Sequence, residues 1–353
     1  MGDSSAPDTP HAPRALETLA VGLGAVVATT LVGALLLWSG GYDPAAAAAA
    51  MVRGSVGSWD TFVSITLVRS VPLILTGLAV ALAFRAGVWN IGAEGQLYAG
   101  AVAAVFVALS LPGLPAPLLI PVVLLVGGLA GAAWALLPTV MGLRLGIGEV
   151  ITTILMNFVA IYAAAYLMHG PLQESRGVFP QTDRIVEAAR LPVMLPGTRL
   201  HLGFGLAVAL AAVLAVVLAR TRFGFQLRSV GQSPTAAGVS GRVNPGRILL
   251  ISFLASGAIA GLAGAVQISG LTFAMYEDLS PGWGYTAIAV ALLAGLNPMG
   301  VVFTGVLFGA LEAGGGAMQR DAGIPYAWVD VVEALTILAV LGLDRVRRER
   351  TAP

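Results

Sequence analysis

One short stretch of the chain concentrates polar side chains that could do chemistry. In FRAGVWNIGAEGQLYAGA, residues 84–101, Asn90, Glu94 and Gln96 interrupt two long apolar segments. A carboxylate beside two amides could transfer a proton, bind a polar solute through hydrogen bonds, or cap a helix end. The spacing alone does not choose among these roles, so the surrounding sequence must decide.

Residue types exclude most enzymatic chemistry. The chain has no cysteine, and all of its basic residues are arginines. A Walker A phosphate loop requires a lysine, and thiolate chemistry requires a cysteine. The three histidines, His11, His169 and His201, are far apart in the sequence. We therefore predict no catalytic residue, no metal site and no cofactor in this chain, and no ATP hydrolysis by it.

Two further sets of polar residues fall within apolar segments. An ionisable group at bilayer depth costs about 2.5–3.5 kcal/mol on insertion scales, so it usually faces a partner or a cavity. Arg69, Glu312 and Glu333 lie at similar depths in their predicted spanning segments, so we predict that Arg69 pairs with Glu312 or Glu333. A contact with the substrate is the alternative. Asn157 beside Phe158 would suit a nucleobase or sugar through hydrogen bonds and stacking. A hydrogen bond between helices is the alternative for Asn157.

Long apolar segments must position these residues. The 353-residue chain is 57% hydrophobic, 10% charged and carries a net charge of only +1, which does not favour a nucleic-acid partner. About ten segments approach the roughly 20 apolar residues that a spanning helix needs. They are 15–38, 61–84, 92–110, 118–141, 149–168, 203–221, 247–270, 284–296, 299–318 and 327–343. The predicted fold is an all-α polytopic membrane protein of about ten transmembrane helices; nine or eleven stay possible because 284–296 is short.

The distribution of arginines predicts the orientation. Most arginines, including those of the terminal RVRRER, lie on the same side as the N-terminus, so both termini are expected in the cytoplasm of a cell with a bacterial-type plasma membrane. We predict a cytoplasmic tail at 1–14, a single transmembrane domain at 15–343 and a basic cytoplasmic tail at 344–353. Within the domain, 169–202 forms an external loop and 222–246 a cytoplasmic one. Asp43-Pro44 predicts the start of a short surface helix outside the membrane.

The cytoplasmic loop RFGFQLRSVGQSPTAAGVSGRVNPG contains the signals of a short helix. Ser233 can cap it, Pro234 suits the first helical position, and Gly241 can end it in a left-handed conformation. Such a helix of about two turns is unstable alone, and it would gain stability by docking into a groove of a partner. An ordinary surface turn is the alternative.

Three motifs in this order resemble one family of transporters. T-A-A-G-V-S-G, from Thr235 to Gly241, resembles the E-A-A-x-x-x-G loop of ATP-binding-cassette (ABC) importer permeases, with threonine in place of glutamate. The wider LRSVGQSPTAAGVSG and the run GYTAIAVALLAGLNPMG, residues 284–300, resemble the branched-chain amino acid/ribose permease family. VWNIGAEGQ is most similar to its nucleoside subgroup, which works with basic membrane lipoproteins. The resemblance extends from about residue 61 to residue 343.

The resemblance implies a permease subunit that imports nucleosides or related small polar solutes. Its implied partners are a second, non-identical permease, a cytoplasmic ATPase that binds ATP and magnesium, an extracytoplasmic solute-binding lipoprotein and membrane lipid. The short helix then becomes a coupling helix, between the sixth and seventh spanning helices, that seats in a cleft of the ATPase. The implied coupling residues are Arg228, Gly231, Ser233, Pro234, Ala236, Ala237, Gly238 and Gly241.

Alternatives stay open for the function and for the opening stretch. An ion-coupled secondary transporter could use Glu149 or Glu312, and an ABC permease could carry sugars or branched-chain amino acids. For residues 84–101 we expect a broken or re-entrant backbone that places Asn90, Glu94 and Gln96 beside the inner mouth of a translocation pathway, with Asn157 and Phe158 farther along it. A solvated loop in which Glu94 caps the next helix is the alternative.

Overall fold

A computed structural model describes residues 31–239, 241, 243–325, 327–328, 330–331 and 334–335 of the chain. Across these residues the regular structure is helical and no β-strand forms, which confirms the predicted all-α class. They fall into two compact units. One contains the residues up to Gly54 and from Gly314 onward, and the other contains Ser55–Ala313.

Eleven helices are defined here in chain order. They are α1 (Pro44–Val56), α2 (Trp59–Arg85), α3 (Ala93–Ser110), α4 (Ala116–Leu145), α5 (Glu149–Met168), α6 (Leu202–Arg220), α7 (Arg222–Gln232), α8 (Pro234–Val239), α9 (Pro245–Thr272), α10 (Trp283–Leu293) and α11 (Pro298–Ala322). Residues 31–39 are also helical. Seven of the eleven helices, namely α2 to α6, α9 and α11, are long and apolar enough to cross a membrane. The protein is therefore a multi-pass membrane protein.

Seven of the predicted spans agree with long apolar helices of the described residues, and the described segment 284–296 does not. The predicted segments 15–38 and 327–343 fall largely outside the described residues, so the total of about ten crossings stays a prediction. Residues 284–296 correspond to the 11-residue helix α10, which is too short to cross a membrane alone. The predicted surface helix is α1, where Asp43 Oδ1 accepts a 2.8 Å hydrogen bond from Ala45 N.

Glycines bring the long helices of the Ser55–Ala313 unit into backbone contact. A methyl group on Gly131 of α4 would overlap the Gly257 carbonyl of α9, and one on Gly100 of α3 would overlap Gly261 of α9. Gly127 of α4 also faces Gly261. The small-residue pairs at 127/131 and 257/261 thus pack helices of one subunit against each other, as small residues do between membrane helices.

Both α2 and α9 contain a five-residue π-helical segment at the same end of this unit, Phe62–Thr66 and Ile268–Thr272. Phe62 and Leu271, one from each segment, pack against a small core that includes Leu200. The connection between α5 and α6 is fixed there as well, because Leu191 N donates a 2.8 Å hydrogen bond to Ser269 O. A single 3₁₀ turn, Glu187–Ala189, interrupts that connection.

The other unit has its own small core. Leu37, Ala47 and Ala50 pack with Met318 and Ile324, and all five side chains are buried. This unit contains the first part of α1 and the last part of α11, and none of the predicted binding or coupling residues described below lies in it.

Candidate functional site

Glu94 joins the N-terminal ends of α3 and α10. Its carboxylate Oε2 accepts a 2.6 Å hydrogen bond from the backbone N–H of Gly284, in the first turn of α10. The nearby Ser280 Oγ accepts hydrogen bonds from Gly282 N at 3.1 Å and from Trp283 N at 3.0 Å, and Glu94 is only 1% exposed. A negative group at a helix N-terminus is stabilised by the unpaired N–H groups and by the helix dipole. Glu94 therefore caps α10, and not the helix α3 that contains it.

Helix α10 begins inside the helical bundle. The Trp283 carbonyl lies 3.5 Å from Thr76 Oγ1, within the long helix α2. A methyl group on Gly284 would overlap the backbone of Glu94, so only glycine permits this approach. The start of α10 is thus a helix end enclosed by other helices. Non-helical backbone at such depth is tolerated where protein surrounds it.

Asn90 and Gln96 form a reciprocal amide pair. Asn90 Nδ2 donates to Gln96 Oε1 and Gln96 Nε2 donates to Asn90 Oδ1, each at 3.0 Å. Asn90 Nδ2 also donates to Ser256 Oγ at 2.9 Å, and Ser256 Oγ donates to the Ala79 carbonyl at 2.7 Å. Because these groups are buried, the pair fixes the turn before α3 to both α9 and α2.

Asn157 connects α5 to the same region. Its Oδ1 accepts a 2.8 Å hydrogen bond from Gly95 N, and its Nδ2 donates to the Ile91 carbonyl at 2.9 Å and to Tyr285 Oη at 3.2 Å. Asn157 is fully buried, whereas the neighbouring Phe158 is 49% exposed. The two residues therefore lie in different surroundings, and only Asn157 belongs to the network around α3 and α10.

The buried network is satisfied in this conformation. Among the described residues, no buried side-chain nitrogen or oxygen of Asn90, Glu94, Gln96 or Asn157 lacks a hydrogen-bond partner. The side chains bind one another and backbone groups, with no nucleophile–base pair among them. The arrangement holds two enclosed helix ends in place, and its polar groups would become available to a solute only when α3 or α10 moves.

A second carboxylate binds the start of α10 from α11. Glu312 Oε1 accepts a 3.1 Å hydrogen bond from Trp283 Nε1 and lies 3.7 Å from Arg69 Nη1. Glu312 Oε2 has no hydrogen-bond partner among the described residues. The structure thus brings together two of the three residues predicted to pair, Arg69 and Glu312. The third, Glu333, lies outside the described residues.

The predicted coupling segment consists of two short helices. Ser233 separates α7 from α8, and its Oγ accepts a 3.2 Å hydrogen bond from Ala236 N, which caps α8 as the sequence predicts. Pro234 is the first residue of α8, and Gly241 has φ +65°. That this segment binds an ATPase stays a prediction.

The remaining predicted coupling residues lie on or beside these helices. Arg228 Nη1 donates to the Leu218 carbonyl near the end of α6, so this arginine holds α7 against α6. Gly231 lies against the carbonyl of Arg85, at the end of α2. In α8, Ala237 is buried, whereas Ala236 and Gly238 are less so.

Several residues of these sites were not identified from the sequence. Val239 is 83% exposed at the end of α8, and an apolar residue in a polar loop is the signal that would have singled it out. Ser256, Ser280 and Gly284 carry no comparable signal. Their partners lie far away in the sequence, so only the fold reveals their contacts.

Two titratable groups outside the spanning segments have altered acidity. Burial lowers the pKa of His201, just before α6, to about 4. Its Nδ1 accepts a 3.2 Å hydrogen bond from Gly203 N, and a methyl on Gly270 would overlap its ring. In the exposed part of the same connection, a 2.7 Å hydrogen bond from Gln181 Nε2 helps lower the pKa of Glu174.

Comparisons with known proteins agree with the motifs. Residues 62–341 match the family described as branched-chain amino acid transport system / permease component. The chain is 38% identical over 335 residues to the glucose ABC transporter permease protein TsgB13 of Haloferax volcanii, covering 92% of this chain and 87% of the relative. It is 37% identical over 343 residues to the guanosine ABC transporter permease protein NupP of Bacillus subtilis, covering 95% and 96%.

A third relative aligns with a similar share of this chain. The nucleoside ABC transporter permease protein NupB of Lactococcus lactis is 32% identical over 329 residues, covering 91% of this chain and 90% of the relative. No solved structure matches the chain.

Proposed function

The chain belongs to the branched-chain amino acid transport system / permease component family, and we propose that it is the permease subunit of an ABC importer that carries nucleosides into the cell. The family consists of permease components, so ATP hydrolysis is assigned to a separate subunit. Family membership favours this function over an ion-coupled secondary transporter that would use Glu149 or Glu312.

One observation carries the choice of substrate. The guanosine permease NupP aligns with 95% of this chain, and the nucleoside permease NupB aligns with 91% of it. Two of the three relatives compared are thus named for nucleosides. VWNIGAEGQ, the motif most similar to the nucleoside subgroup, is also the segment that holds Asn90 and Glu94 at the enclosed ends of α3 and α10.

A sugar permease is the second candidate function. The glucose permease TsgB13 is 38% identical to this chain, which is close to the identity of NupP. Nucleosides contain a sugar, so both solutes present hydroxyl groups to a pathway. The base distinguishes them, because it needs a surface for stacking and its polar edge needs hydrogen bonds.

The geometry suggests how such a solute would pass. A transporter alternates between states in which one site is open to either side, and broken helices often form that site. Here α10 is a half-length helix held at its start by Glu94 and Glu312. We infer that movement of α10 relative to α3 opens the pathway, and that Asn90, Gln96 and Asn157 then exchange hydrogen bonds with the solute.

The proposed complex contains four kinds of component. A cytoplasmic ATPase would bind α8, a second and non-identical permease would complete the pathway, and a solute-binding lipoprotein would deliver the solute from outside. The proposed location is the plasma membrane, with both termini in the cytoplasm.

Competitive uptake tests the substrate. The chain would be expressed with a second permease, an ATPase and a solute-binding lipoprotein in cells that lack nucleoside uptake, and guanosine, glucose and leucine would be supplied in labelled form. We expect guanosine uptake that unlabelled nucleosides inhibit and glucose does not. Uptake of glucose alone would assign the chain to the sugar permeases, and uptake without the ATPase would reject an ABC importer.

A further inference from the structure

Residues 85–87, at the C-terminal end of α2, are contacted from two directions by segments distant in the sequence. Gly231, the next-to-last residue of α7, lies so close to the Arg85 carbonyl that a methyl group on Gly231 would overlap it. Gly87 has φ +82°, and a methyl on it would lie 3.3 Å from Gly231 Cα. From the other direction, Arg85 Nε donates a 2.8 Å hydrogen bond to the Leu296 carbonyl. We call residues 85–87 the 85–87 turn; it joins the end of α7 to the residues after α10.

The chain that follows this turn holds the other end of α10. Glu94 accepts the 2.6 Å hydrogen bond from Gly284 N. Between the turn and Glu94, Asn90 is fixed by its hydrogen bonds to Gln96 and Ser256. Both ends of α10 are therefore attached to one short stretch of chain, residues 85–94. Arg85 binds Leu296, just after the end of α10, and Glu94 binds Gly284, in its first turn.

The connection from α8 to this turn is equally short. Ser233 lies between α7 and α8, and its backbone bonds to both helices: Ser233 N donates to Ser229 O at 3.1 Å, and Ala237 N donates to Ser233 O at 3.0 Å. Gly231 is two residues away. A displacement of α8 thus reaches Gly231 through a hydrogen-bonded backbone with no intervening flexible loop.

We propose that Gly231 is a positioning residue that transmits the displacement of α8 to the 85–87 turn and so to both ends of α10. This proposal rests on the proposed function, because it takes α8 as the segment that an ATPase moves. Glycine is needed at 231 because the α7 backbone touches the backbone of the turn directly. A contact between two close-packed backbones has no soft side chain that could absorb the movement.

A pair of glycine variants separates transmission from general damage to α7. Gly231→Ala pushes α7 away from the 85–87 turn. In the matched control, Gly224→Ala, the methyl overlaps the Leu218 carbonyl of α6, so it disturbs α7 equally but away from the turn. Each variant would be assembled with the partner permease, ATPase and lipoprotein in proteoliposomes, and guanosine transported per ATP hydrolysed would be measured. This ratio does not depend on how much complex assembles.

We expect Gly231→Ala to lower the ratio about tenfold, within the range that couplings of this kind span. Gly224→Ala is expected to change the ratio less than about twofold. An unchanged ratio in Gly231→Ala, or an equal fall in both variants, would overturn the proposal.

A label two residues beyond the 85–87 turn keeps the proposal testable if Gly231→Ala does not assemble. The chain has no cysteine, so Trp89→Cys, at a position 53% exposed in the wild-type chain, accepts a single spin label before assembly. In the complex with Gly231 intact, the spectrum is expected to change when ATP is added. An unchanged spectrum during active uptake overturns the inference alone. Failure of the wild-type chain to assemble with an ATPase overturns the proposed function, and this inference with it.

Discussion

Gly284 donates its backbone N–H to the buried carboxylate of Glu94 at 2.6 Å, and this contact joins the first turns of two helices that both begin inside the bundle. The two residues are 190 positions apart in the sequence. Because the carboxylate replaces water as the partner of an enclosed helix end, the contact stabilises a break in the helical pattern.

Removing the Glu94 carboxylate should weaken this junction. Glu94→Ala leaves the Gly284 N–H buried without a partner, so we expect it to destabilise the protein by about 1–3 kcal/mol. Glu94→Gln retains an acceptor oxygen and should cost less. Thermal unfolding of the detergent-purified variants measures the difference. Equal stabilities of the Ala and Gln variants would show that the hydrogen bond to Gly284 contributes nothing.

Gly284 should tolerate no side chain. Gly284→Ala places a methyl inside the backbone of Glu94, so the start of α10 must shift, and overpacking of this kind typically costs about 1–3 kcal/mol. Gly148→Ala is the matched control, because a methyl there has no neighbour within 4 Å. The yield and unfolding temperature of the two variants would be compared. A Gly284→Ala protein as stable as the control would contradict the close approach of α3 and α10.

Asn157 should matter more for stability than Phe158. Asn157→Leu leaves Gly95 N and the Ile91 carbonyl without their partners, which should cost about 1–3 kcal/mol. Phe158→Ala removes a side chain that is 49% exposed, so the fold should be little affected. If Phe158 stacks on the nucleobase, its variant should instead raise the KM for guanosine uptake. A normal KM would remove Phe158 from the pathway.

The buried His201 predicts a loss of stability in mild acid. Its pKa is about 4 in the folded protein and about 6.5 in an unfolded chain, so the unfolded state takes up the proton first as the pH falls. Stability should be complete above about pH 6.5 and decrease toward pH 4, by about 3 kcal/mol in total. Unfolding temperatures between pH 7.5 and pH 4.5 would test this.

Two variants isolate the histidine responsible. His201→Asn keeps an acceptor for the Gly203 N–H and cannot titrate, so its stability should depend less on pH. His169 is exposed, so His169→Gln should retain the pH dependence of the wild type. A pH dependence that persists in His201→Asn and is lost in His169→Gln would show that His201 is not the group responsible.

The sequence predicts the helices better than their contacts. Hydropathy identifies the spans because a spanning helix must be apolar over its whole length. Matching depth also suggested Arg69 beside Glu312, since a charge within an apolar segment needs a nearby partner, and the two lie 3.7 Å apart. The glycines of residues 84–101 suggested a broken backbone, and the turn with Gly87 at φ +82° lies there.

The partners of the buried polar residues could not be predicted. Glu94 could equally have capped its own helix, and its bond to Gly284 depends on how α10 enters the bundle. The sequence predicts that Gly231 belongs to the coupling segment, but its contact with Arg85 involves only backbone atoms. Backbone contacts between distant segments leave no residue pattern beyond a glycine, and the chain contains 45 glycines.

Guanosine uptake into proteoliposomes tests the central claim most directly. The complex of this chain with a second permease, an ATPase and a solute-binding lipoprotein should accumulate labelled guanosine only when ATP and the lipoprotein are both present. Gly238→Arg, which places a large charged side chain on α8, should abolish this uptake while the chain still inserts into the membrane. Guanosine uptake that needs no ATP and collapses with an uncoupler, or normal uptake by Gly238→Arg, would contradict the account.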